Sequence, residues 1–159
     1  MLYSTRMQNE TLLPVTWRAK PRGFVALMSL YESNYLRLAR LCGDPAQLQG
    51  ERLSQVSGGC DLRLVVLERA AYTITLNLTH LFERPPAGNR LAELLSYPDV
   101  RVRVYCDARL VQAQHWADGP PAAPGRRMGA EREMHQRWMF NNMLNKWLEY
   151  CLELGHRLR

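Results

Sequence analysis

The chain has 159 residues, long enough to bury a core without help from disulfides or metals. Its apolar share of 47% and charged share of 23% exclude a disordered chain, and its apolar runs are too short and too broken by charge to span a bilayer. The formal charge is +6 and rests mostly on arginine, the side chain suited to carboxylates and phosphates, but the basic residues are interspersed, which does not favour a nucleic-acid partner.

Residues 1–23 have no clear period and contain Pro14 and Pro21, so a loose N-terminal tail anchored by Trp17 is expected before a single domain over 24–159. No export signal is apparent at the N-terminus, and four scattered cysteines without ligand spacing read as reduced thiols in a cytoplasm. From Phe24 to Cys42, Leu27, Leu30, Tyr31, Tyr35, Leu38 and Leu41 recur at three- and four-residue intervals and predict an amphipathic helix. Gly43 and Pro45 end it, and Asn34 inside it is expected to face solvent rather than a buried partner.

A weak strand is expected at Arg52–Val56, and strong ones at Leu62–Glu68 and Tyr72–Phe82, joined as a hairpin through Arg69-Ala70-Ala71. In the longer strand Tyr72, Ile74, Leu76 and Leu78 line one face, while Thr73, Thr75, Asn77 and Thr79 line the other. His80 is expected as a partly exposed edge residue. Glu83–Asn89 reads as a loop, and Arg90–Leu95 as a helical turn or irregular segment. Val100–Cys106 alternates apolar and polar, turns at Asp107-Ala108-Arg109, and continues as Leu110–Gln114. A Pro/Gly-rich loop over 116–129 precedes a long amphipathic helix, Glu131–Leu158, whose stripe runs Phe140, Leu144, Trp147, Cys151, Leu154 and Leu158. The expected class is α+β, an antiparallel β-meander of about four or five strands flanked by an N-terminal and a long C-terminal helix.

No phosphate-loop, dinucleotide, nucleophile-elbow or zinc-protease motif occurs, so no catalytic set, metal or cofactor is assigned. The concentrated polar chemistry lies on adjacent strands, in Glu68, Tyr72, Thr73, Arg103, Tyr105 and Asp107, with Asn34 as an outlying candidate. Side chains two apart on a strand share a face, so Arg103, Tyr105 and Asp107 are expected in a row. Such a row could grip an anion through Arg103 while Tyr105 stacks on a planar group. The partner expected is a protein or a small anionic ligand, with no membrane. One alternative is an enzyme acting on a phosphorylated small molecule, with Asp107 as base or metal ligand. Another is an RNA-binding sheet with Tyr105 and Tyr72 as stacking platforms.

The blocks SLYESNYLRLARL, LxxxxLExxxYTITL, VRVYCDARLVQ and NNMLNKWLEYCLELGH together resemble the YqiB-like family of small bacterial cytosolic proteins, a domain of unknown function. The resemblance covers residues 27–114 and 137–156 and implies matching polar positions at Glu32, Asn34, Glu68, Tyr72, Thr73, Arg103, Tyr105, Asp107, Asn141 and Trp147. This chain has Cys106 and Gln112 where that family usually has His and Glu.

Overall fold

A computed structural model describes residues 23–83, 94–116 and 129–159. Helix α1 (Phe24–Cys42) leads through a 3₁₀ turn at Pro45–Gln47 into five strands, and helix α2 (Ala130–Glu153) follows. The strands are β1 (Glu51–Ser54), β2 (Asp61–Arg69), β3 (Thr73–Glu83), β4 (Leu94–Tyr105) and β5 (Leu110–Trp116). They form one antiparallel sheet in the order β1-β2-β3-β4-β5, the α+β meander expected from the alternation. The tail expected at 1–23, the loop expected at Glu83–Asn89 and the 116–129 loop lie, apart from their end residues, outside the described residues.

The period-2 pattern decides which face is covered. Leu62, Leu64, Ile74, Leu76, Leu78, Val100, Val102, Val104, Val111 and Ala113 all point to one side and are buried there. Leu38 and Leu41 of α1 and Phe140, Leu144, Trp147, Leu148 and Cys151 of α2 close over them. Burial of each such side chain contributes about 1.5–3 kcal/mol relative to exposure. The helices lie side by side in the same direction. Leu27, Leu30 and Tyr31 pack with Trp138 near their starts, and Leu158 N–H donates to Leu41 O at 2.8 Å beyond their ends.

Gly43 closes α1 with φ +81°, a conformation that favours glycine, and its N–H donates to Ala39 O at 2.8 Å. Gly155, at φ +90°, turns the chain after α2. The last helix therefore ends at Glu153 rather than Leu158. Leu158 is still fully buried, which explains why it fits the helical stripe while lying outside the helix. At the other end of the meander, Leu94 and Leu95 belong to β4 and not to a helical turn. The hairpin between β2 and β3 is tight, with Ala70 N–H donating to Thr73 O at 2.8 Å.

Two polar residues sit elsewhere than expected. Asn34 is 0% exposed, not solvent-facing. His80 is 4% exposed because β3 continues to Glu83 and α2 lays Trp147 and Cys151 against it. No helix among the described residues is long and apolar enough to cross a membrane.

Candidate functional site

Both helices pack on one face of the sheet, which leaves the polar phase of the strands on the other. Strand register sets its cross-strand rows. Arg63, Thr79 and Asp99 form one; Val65, Asn77, Arg101 and His115 the next; Glu68, Thr75, Arg103 and Gln112 the third; Thr73, Tyr105 and Leu110 the last. Directly opposed residues have Cβ atoms about 5 Å apart, so each row is a continuous contact.

The cations on this face are not equivalent. Arg63 is engaged bidentately by Glu51, at 2.6 and 3.2 Å. The hydrogen bond from Arg63, aided by the guanidinium charge, holds the Glu51 carboxyl below its ordinary range. Thr79 Oγ1 donates to Asp99 Oδ1 at 3.0 Å, and Tyr105 Oη donates to Gln112 Oε1 at 3.1 Å. Arg101 and Arg103, by contrast, have no ion-pair partner among the described residues. Two atoms near them are buried without any partner, Arg103 Nε and Asn77 Oδ1. An orphaned buried donor or acceptor costs about 1–3 kcal/mol, so a pair of them on one surface calls for an explanation.

Four of the sequence candidates are brought together here. Glu68 and Arg103 share a row two strands apart, and Thr73 and Tyr105 are directly opposed in the neighbouring one. Asp107 lies off this row, exposed in the turn after β4. Tyr72 is 67% exposed and stands outside β3; its carbonyl accepts from Cys106 N–H at 2.9 Å. It is thus one residue out of phase with Tyr105, and the two rings do not make a common stacking platform. Asn77, Arg101 and Gln112 join the face without having been singled out. Their signal was present, since each occupies the same polar phase as Thr75, Arg103 and Gln114.

Asn34 has a different place, under the edge strand β5. Its Nδ2 lies 3.4 Å from Val111 O and from Asn141 O and Oδ1, and its Oδ1 accepts from Asn145 Nδ2 at 3.0 Å. Asn141 Oδ1 accepts from Ala113 N–H at 2.7 Å. Asn34 and Asn141, the former held by Asn145, therefore satisfy backbone groups that an edge strand would otherwise present to another chain.

A buried cluster under β3 joins His80, Trp147, Cys151 and His156. Trp147 Nε1–H donates to His80 Nδ1 at 3.1 Å, which leaves the neutral ring's proton on Nε2, 3.4 Å from Cys151 Sγ. His80 thus donates toward the sulfur and is the wrong tautomer to take a proton from it. Burial pushes the Cys151 and Cys42 thiols up to about 12 and the His80 imidazole, also facing His156, down to about 4. These are core thiols. Among the described residues no group of three or more His, Cys, Asp or Glu side chains is placed to hold a metal ion.

A family model described as "Protein of unknown function (DUF1249)" matches residues 37–157, which takes in every strand and all of α2. No curated protein and no solved structure matches the chain.

Proposed function

The chain belongs to the DUF1249 family, and we propose that it works by binding. On this reading the open sheet face around Arg103 and Tyr105 receives a carboxylate or phosphate carried by a partner molecule. The observation that carries it is the Arg103 guanidinium, which has a buried, unpartnered Nε and no carboxylate paired with it among the described residues. An arriving anion would accept from that Nε–H and its neighbouring N–H in the fork geometry that favours arginine. Asn77 Oδ1, one row away and equally unpartnered, would accept from a donor on the same ligand. Kinship with the YqiB-like group and residence in the cytoplasm belong to this proposal. The enzyme reading draws less support, because Asp107 stands apart from Arg103.

A thermal-shift comparison tests the proposal, using phosphorylated and carboxylated metabolites in one arm and a nuclease-treated protein fraction in the other. Wild type should be stabilised in one arm, and Arg103→Glu in neither, with its own unfolding transition unchanged. The arm that responds identifies the anion's carrier. Equal stabilisation of both variants would remove Arg103 from the site.

A further inference from the structure

The two helices cover the sheet with one side and turn the other to solvent, and that outer side is not uniformly polar. Val25 and Leu36 on α1 and Met139, Met143 and Tyr150 on α2 are five of the nine large apolar side chains exposed among the described residues. Val25 and Leu36 stand eleven residues apart, as do Met139 and Tyr150. Eleven residues make close to three full turns, so each pair is in line on its helix.

The helices also run level with one another. Ser33 Oγ accepts from Asn145 Nδ2 at 3.0 Å, and one turn later Arg37 and Glu149 approach to 3.9 Å. At a rise of 1.5 Å per residue, that alignment puts Val25 level with Met139 and Leu36 level with Tyr150 to within about 3 Å. The charges keep the same levels with opposite signs: Glu32 with Lys146, Arg37 with Glu149, Arg40 with Glu153. Toward the ends of the helices a groove of about 680 Å³ has Arg37 and Arg40 on one wall, Glu149 and Glu153 on the other, and Leu36 and Leu152 between them. Glu32, Arg40, Lys146 and Glu153 are exposed and have no ion-pair partner among the described residues.

Such a pattern is complementary to itself. A two-fold axis parallel to the helices preserves every level and exchanges the walls, so α1 of one copy faces α2 of the other. Arg40 then meets Glu153, Glu32 meets Lys146, Val25 meets Met139 and Leu36 meets Tyr150, each contact occurring twice. Apolar burial supplies the driving force, and the opposed charges fix the register. The face is about 28 Å long, the length of α1, and about 20 Å wide, two helix diameters, which is the footprint of an interface of standard size. A foreign partner would need this order of charges by coincidence, whereas a second copy carries it by construction.

We infer that the outer face of the α1–α2 layer is a docking surface for a second copy of this chain, joined about a two-fold axis parallel to the helices. It lies on the other side of the molecule from the open sheet face, so the dimer presents two open faces outward. The inference does not rest on the role proposed for Arg103.

Sedimentation velocity over a concentration series tests it, using wild type, Arg40→Glu, Glu153→Arg and an equimolar mixture of the two variants. Wild type should reach a dimer by about 100 µM. Each single variant should raise the dissociation constant on the order of tenfold, because it sets like charges opposite each other at both symmetry-related contacts. Mixing the two should restore wild-type association, since each variant supplies the charge that the other lacks. That rescue also separates a lost contact from a damaged fold, which mixing would not repair. A wild type that stays monomeric throughout overturns the inference and leaves the face to a different molecule. Association untouched by the single substitutions overturns it as well, as does a mixture no stronger than either variant alone.

Discussion

At the scale of single residues, the polar groups inside this molecule divide into those that hold the fold and those left waiting. Asn34 belongs to the first kind. Replacing it with Leu removes the donor to Val111 O and the acceptor for Asn145 Nδ2, leaving buried groups unpaired. Urea unfolding should show a loss of about 2–3 kcal/mol with an unchanged m-value; a loss under about 0.5 kcal/mol would mean that water or a neighbour takes over its bonds. His80 makes a prediction about pH. Its folded pKa of about 4 lies below the ordinary 6.5, so the unfolded chain binds more protons between those values. Stability should be full above pH 6.5 and fall as the pH drops toward 4, by on the order of 3 kcal/mol. In His80→Gln, whose amide oxygen can still accept from Trp147, that slope in urea midpoints should flatten. Neither placement was legible in the sequence. Asn34 sits in a helical pattern that says nothing about the edge strand it meets, and the environment of His80 depends on a helix about 67 residues later in the chain. Arg103 and Tyr105 were legible, because alternation alone assigns them to a common face.

At the scale of elements, both ends of the meander are closed by the chain itself. The β5 edge is masked at Val111 and Ala113 by Asn34 and Asn141, while the β1 end is tied by residues after α2. Arg52 donates to Cys42 O at 3.2 Å and to Leu158 O at 2.9 Å, and Ser54 Oγ contacts His156 Nδ1 at 3.0 Å and accepts from Arg157 N–H at 2.9 Å. Leu158 seals this junction with no exposed surface. Leu158→Ala should therefore cost about 2–4 kcal/mol in chemical denaturation, as a core deletion does; a cost near that of a surface change would show that the segment after α2 does not strap β1 to the helices. The helical stripe had suggested that Leu158 is buried, but not that it reaches the core through a turn at Gly155. Period reports which side chains face the core and is silent on where the backbone leaves the helix.

At the scale of the whole molecule, two helices on one face of a five-stranded meander leave the opposite face to the polar phase of the strands. The +6 charge is interspersed along the sequence, yet folding places Arg101 and Arg103 side by side on β4 without carboxylates paired to them among the described residues. Attraction of an anion to them should weaken with ionic strength where it is solvent-exposed and persist where Arg103 Nε is buried. The most direct measurement is the arginine Nε–H region of an ¹⁵N-correlated NMR spectrum, with the Arg103 signal assigned by its loss in Arg103→Lys. That signal should shift downfield when the stabilising anion or partner fraction is added, as its unpartnered N–H acquires an acceptor. A ligand that binds the open face while leaving the Arg103 Nε–H signal in place would contradict the proposed function.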